Sequence, residues 1–124
     1  MNKYLFVYGT LMQGMRNHSY LESAKFLGTV QTPPEYELWT NGSIPAVRKG
    51  SEPVKGELYE VDDSIIASLD QVEDVTGKLY DKAEVQIDGK AAIVYLGGER
   101  MFSSDSWEKI PGGDYKAYVE GKKE

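Results

Sequence analysis

The 124-residue chain has no cysteine and only one histidine, His18. Without cysteine it forms no disulfide and cannot use a thiolate nucleophile, which is compatible with a reducing compartment. With one histidine and no spaced set of partner ligands, no metal motif can be read, and no cofactor is expected. Long apolar runs are also missing. The N-terminal run is about six residues, against the roughly 20 needed to cross a bilayer, and no basic segment precedes it. Positive charge is scarce: 14 Lys and Arg against 20 Asp and Glu leave a net charge of −6. The densest basic stretch, Lys122-Lys123, is only a tail, so neither nucleic acid nor membrane is expected as a partner. No repeat, low-complexity tract or Gly/Pro-rich linker marks an internal boundary. The expectation is one soluble, cytoplasmic domain over residues 1–124, standing as a monomer or a weak homodimer.

Nine tyrosines are present, which favours β-structure and amphipathic cavity walls. Tyr4-Leu5-Phe6-Val7-Tyr8 reads as a strand buried on both faces, and it stops at Gly9. A glycine there lets the backbone turn tightly and leaves its amides uncovered, so successive N–H groups can hold a carboxylate or an oxyanion. Further strands are expected over Ala24–Gln31 and Val54–Val61. Asn41-Gly42 and Asp88-Gly89 each separate two β-prone segments and suit type I′ hairpins. Asp62 or Asp63 can cap a helix whose apolar face carries Ile65, Ile66, Leu69 and Val72. Shorter helical turns are expected at His18–Ser23 and Ser104–Lys109. The sum is an α+β domain: a small closed or nearly closed β-barrel with flanking short helices.

Glu73 follows Leu69 by four residues and Ile66 by seven, so in a helix of that length it continues the apolar face. A carboxylate pressed into an apolar wall has its charged form disfavoured and is suited to exchange a proton near neutral pH. If the helix ends at Leu69 or Asp70, Glu73 is an ordinary loop carboxylate. Periodicity leaves both open. Asp70 and Asp74 fall off the stripe and read as solvated, as do Glu57 and Glu60 in their strand.

An ordered series of motifs resembles the gamma-glutamylcyclotransferase-like family, specifically its small branch of gamma-glutamylamine cyclotransferases. The series runs Val7-Tyr8-Gly9-Thr10-Leu11-Met12, Gly14, Asn17-His18, Leu21, Ile44-Pro45-Ala46-Val47 and Val54 to Val61. It continues through Leu69-Asp70, Glu73, Tyr80-Asp81-Lys82 and Ile110 to Tyr115. The resemblance implies a barrel with a cavity at one end and a small-molecule γ-glutamyl substrate, with no metal or cofactor. It further implies a loop of Tyr8, Gly9, Thr10 and Leu11 that binds substrate through its backbone, and Glu73 as the acid–base. Tyr80 would begin a strand beside the cavity and contact substrate. The chain departs from the family pattern at Lys82, usually arginine, at Asp74, often glycine, and at Tyr115, commonly tryptophan. Lysine does not replace arginine at a bidentate site, so the cavity rim is expected to differ.

Each residue also has a plainer role open to it. Tyr8 is a cavity wall or a strand-core aromatic. Thr10 presents its hydroxyl to substrate or to its own turn. His18, near a helix start, reads as structural. Pro111–Tyr115 is a lid or an ordered C-terminal turn. The alternative function is a non-catalytic small-ligand binding module on the same barrel; a protein-interaction domain using a sheet edge has no positive support.

Overall fold

The computed structural model describes residues 3–15, 17–42, 44–72, 80–97 and 106–122. In chain order the strands are β1 (Lys3–Val7), β2 (Lys25–Gln31), β3 (Tyr36–Thr40), β4 (Pro45–Lys49) and β5 (Lys55–Val61). Helix α1 (Asp63–Val72) follows, then β6 (Tyr80–Ile87), β7 (Lys90–Gly97), β8 (Glu108–Lys109) and helix α2 (Tyr115–Lys122). One sheet has the order β2-β5-β1-β7-β6, and a second has the order β4-β3-β8.

β1 is the middle strand of the larger sheet, antiparallel to β5 and parallel to β7. Leu5, Phe6 and Val7 are buried, which matches the expectation of a strand covered on both faces. Removing each such side chain from water contributes about 1.5–3 kcal/mol. Register and strand alternation place Leu5, Val7, Glu57, Tyr59, Ile93 and Tyr95 on one face. Helix α1 crosses that face, tied by a Lys3–Asp63 ion pair at one end and by the Tyr95 phenol to Asp70 at the other. Ile65, Ile66 and Leu69 of the predicted stripe are buried, and the Val72 side chain lies outside the described residues.

The two sheets are separate ladders, and among the described residues no closed barrel joins them. The edges give a reason. β6 exposes Asp81, Lys82, Glu84 and Gln86, and β2 exposes Lys25 and Gln31, side chains that blunt further pairing. β3 is satisfied instead by β4 and β8.

Local signals account for several elements. Asp88 and Gly89 both take positive φ, 50° and 78°, as a type I′ hairpin requires. The second predicted hairpin differs. β3 and β4 pair Thr40 with Pro45, so the loop has four residues, and Asn41 does not take positive φ. Thr40 Oγ1 and Asn41 Oδ1 bind the carbonyl and amide of Ile44, and these bonds stretch the connection. The helix expected over Ser104–Lys109 is also corrected: Glu108–Lys109 is a strand paired with Trp39 and Thr40, and Ser104 lies outside the described residues. The first short helical turn is a 3-10 turn at His18–Leu21. Lys122 is not a loose tail, because α2 reaches it from a cap at Asp114, whose Oδ1 accepts the Ala117 amide.

The Asp62 carboxyl caps α1 by accepting from the Ser64 hydroxyl and the Ile65 amide, and these bonds hold its pKa below the ordinary aspartate value. A lowered folded-state value contributes stability above the unfolded-state pKa of about 4 and loses it as pH falls through the lowered value. Asp62→Ala is therefore expected to lower the melting temperature at pH 7, with the gap to the parent closing in acid. Thermal melts of both proteins from pH 2 to 7 check this.

Candidate functional site

At the end of β1 the chain turns through Tyr8, Gly9, Thr10 and Leu11 before Met12. The carbonyl oxygens of Gly9 through Met12 are all engaged. Gly9 O accepts from the Met12 amide at 3.1 Å, Thr10 O from the Asn17 amide at 2.9 Å, and Met12 O from the Met15 amide at 3.0 Å. Leu11 O accepts from His18 Nδ1 at 3.0 Å, so that nitrogen carries the proton. The amides of Gly9, Thr10 and Leu11 make no hydrogen bond among the described residues. A peptide whose carbonyl already accepts is polarised, and its N–H becomes a better donor. Gly9 O and Thr10 O share their peptide planes with the Thr10 and Leu11 amides, so these two N–H groups are held and polarised beside the Gly9 amide, and successive free donors in a turn suit an anion.

Close packing sets where the turn sits. A Cβ on Gly9 would collide with Pro45 Cγ, so the first residue of β4 lies directly against the glycine. The Tyr80 phenol, at the start of β6, donates to Pro45 O at 3.0 Å. The Tyr8 phenol donates to Tyr95 O at 2.5 Å, and the Tyr95 phenol reaches Asp70 Oδ1 at 2.7 Å. Lys82 Nζ stands 3.1 Å from the other Asp70 oxygen. Tyr8, Gly9 and Tyr80 thus converge through Pro45 and Tyr95. Thr10 directs its hydroxyl oxygen to Asn17 Nδ2 at 3.0 Å, within its own turn, and Leu11 is buried. Asp70, expected to be solvated, instead joins α1 to β6 and β7. Glu73 lies outside the described residues, directly after the last residue of α1.

Glu57 departs from the solvated position its strand implies, and is 4% exposed. Its Oε1 accepts from the Gln13 amide at 2.8 Å and from the Tyr59 phenol at 2.9 Å, and its Oε2 meets Lys116 Nζ at 2.8 Å. Burial first, then the hydrogen bond and charge of Glu57, push the Tyr59 phenol well above its ordinary value, so it remains a donor at any physiological pH. The signal was present: Glu57, Tyr59 and Val61 alternate on one face, so the reasoning applied to Glu73 on a helix applied here at period two. Among the described residues no three His, Asp or Glu side chains gather as a cation site.

The contact between Gly9 and Pro45 yields a direct test. Gly9→Ala forces a methyl against a rigid ring and is expected to cost about 1–3 kcal/mol. Gly121→Ala, in open space on α2, is expected to be neutral or stabilising. Chemical denaturation of the two variants beside the parent measures both.

Known proteins resemble this chain in sequence and in fold. A family model described as "Gamma-glutamyl cyclotransferase, AIG2-like" matches residues 5–117. A Vibrio cholerae protein assigned by name to the gamma-glutamylcyclotransferases is 45% identical over 75 residues, covering 60% of this chain and 65% of that protein, just under two thirds of its length. The gamma-L-glutamyl-butirosin B gamma-glutamyl cyclotransferase of Niallia circulans is 29% identical over 119 residues, covering 92% of this chain and 76% of its own. Among solved structures, the uncharacterized protein PH0828 of Pyrococcus horikoshii superposes with a TM-score of 0.80 at 31% identity, covering 98% of this chain and 97% of that one. The chain belongs to the gamma-glutamyl cyclotransferase, AIG2-like family.

Proposed function

We propose that the protein is a γ-glutamyl cyclotransferase that releases 5-oxoproline and a free amine from a γ-glutamylamine. The three uncommitted amides of Gly9, Thr10 and Leu11 carry this reading, because the reaction needs donors at an anionic centre. Membership of the family supports it, as does a helix that reaches Val72, one residue short of Glu73.

The reaction is internal to the substrate. The α-ammonium group gives a proton to Glu73, and the freed amine attacks the γ-carbonyl carbon to close a five-membered ring. Glu73 returns that proton to the leaving nitrogen, the tetrahedral oxyanion collapses as the bond to that nitrogen breaks, and the second proton that the ring nitrogen sheds passes through Glu73 to the departing amine. Nucleophile and electrophile share one molecule, so the protein needs chiefly to hold the folded conformer. Each well-aimed oxyanion donor contributes about 2.7–4 kcal/mol, so amides of the turn supply a large part of the barrier reduction. The same amides also suit the substrate α-carboxylate. Lys82, paired with Asp70 where the family usually carries arginine, gives the rim a single point charge in place of a fork.

The test is 5-oxoproline release from a panel of γ-glutamylamines, γ-glutamyl amino acids and γ-L-glutamyl-butirosin B, with Glu73→Gln assayed in parallel. The parent is expected to turn over the amine-linked substrates, and the variant to lose about 10²–10⁴-fold in kcat. Equal turnover by both proteins would assign the proton transfers to another group. Binding without turnover across the panel would make the protein a ligand-binding module.

A further inference from the structure

Glu57 has no part in the chemistry above, yet a carboxyl group is held almost fully buried in β5, next to the central strand of the sheet. Burying a carboxylate carries a desolvation penalty that its partner, the partly exposed Lys116, need not repay, so stability alone is a poor reason to bury this one. Its contacts point elsewhere. Oε1 receives the amide of Gln13, the residue after Met12, and Oε2 receives Lys116 from α2. The turn therefore has two fixed ends: its entry presses Gly9 on Pro45, and its exit hangs from Glu57. Between them lie the three open amides.

We propose that Glu57 is a positioning residue for the Gly9–Leu11 amide turn, with Lys116 holding its second oxygen in place; the inference rests on the reading that those amides receive substrate. Glu57 transfers the rigidity of the sheet to a segment that is itself neither helix nor strand. Tyr59 donates to the same oxygen and limits rotation of the carboxyl group. Lys116 makes α2, more than 100 residues along the chain, part of the turn's support.

Two double variants separate geometry from stability. E57L/K116L removes the acceptor for the Gln13 amide without leaving a lone buried charge, and E57M/K116M takes its place if the leucine pair does not fold. E57Q/K116M keeps a neutral acceptor oxygen for Gln13 and Tyr59. The readouts are the amide resonances and hydrogen exchange of Gly9, Thr10, Leu11 and Gln13, together with kcat and KM for γ-glutamyl-ε-lysine. The apolar pair is expected to keep the parent's far-UV circular dichroism, to shift those resonances and speed exchange at Gln13. Its kcat is expected to fall by about tenfold to a hundredfold, the cost of a small misplacement. The Gln/Met pair is expected to stay close to the parent in both readouts. Parental resonances, exchange and kcat in the apolar pair would overturn the proposal, as would an equal loss in both pairs. A parent that releases no 5-oxoproline would sink the functional reading alone, and the resonance and exchange comparison would then decide the role of Glu57.

Discussion

The candidate site depends on one asymmetry: the carbonyl oxygens of Gly9 through Met12 are consumed inside the protein, while the amides of Gly9 through Leu11 find no acceptor among the described residues. An exposed loop with free amides would rotate them towards water and average their dipoles. Here Asn17 holds Thr10 through both backbone and side chain, and His18 holds Leu11, so the peptide planes are fixed before any ligand arrives. Preorganisation of this kind spares the reaction the cost of reorienting donors as charge develops. It also gives the single histidine a role that needs no change of protonation state.

A second set of polar contacts joins elements far apart in sequence. Tyr8, Tyr95, Asp70 and Lys82 connect β1, β7, α1 and β6, and Tyr80 adds β4 through Pro45. Asp70 lies in the last turn of α1, where the helix dipole disfavours negative charge. The Tyr95 phenol and the Lys82 ammonium offset that. Lysine at 82 suffices for this pairing, because it meets one oxygen of Asp70 and leaves the other to tyrosine.

What could be read from sequence was what short-range forces decide. The buried strand before Gly9, the Asp62 cap and the Asp88-Gly89 turn each depend on a few neighbouring residues, and each formed as expected. The failures share a cause. Glu108–Lys109 is a strand only because Trp39 and Thr40 offer it an edge, and two residues carry no periodicity of their own. Asn41-Gly42 is overruled by side chains that bridge to Ile44. α2 was hidden by glycines at 112, 113 and 121, although Asp114 supplies its cap. Glu57 needed both an alternation argument and a partner, and the partner, Lys116, is 59 residues away. The turn from Tyr8 to Leu11 was legible as a motif, but the engagement of its carbonyls was not, since it relies on where Met12, Asn17 and His18 sit.

The placement of β1 bears on how the molecule is made. The strand precedes both of its neighbours, lying beside β5 and β7, so its flanks are not sealed until the chain has run to about residue 97. During synthesis Leu5, Phe6 and Val7, an apolar segment of strong β-propensity, wait for β5 (Lys55–Val61) to cover one edge and for β7 (Lys90–Gly97) to cover the other. Parallel pairing over such a separation carries a large loop-closure cost and slows folding. A buried central strand of the finished protein is thus a vulnerable one on the ribosome, where a nascent-chain chaperone would have an apolar segment to shield.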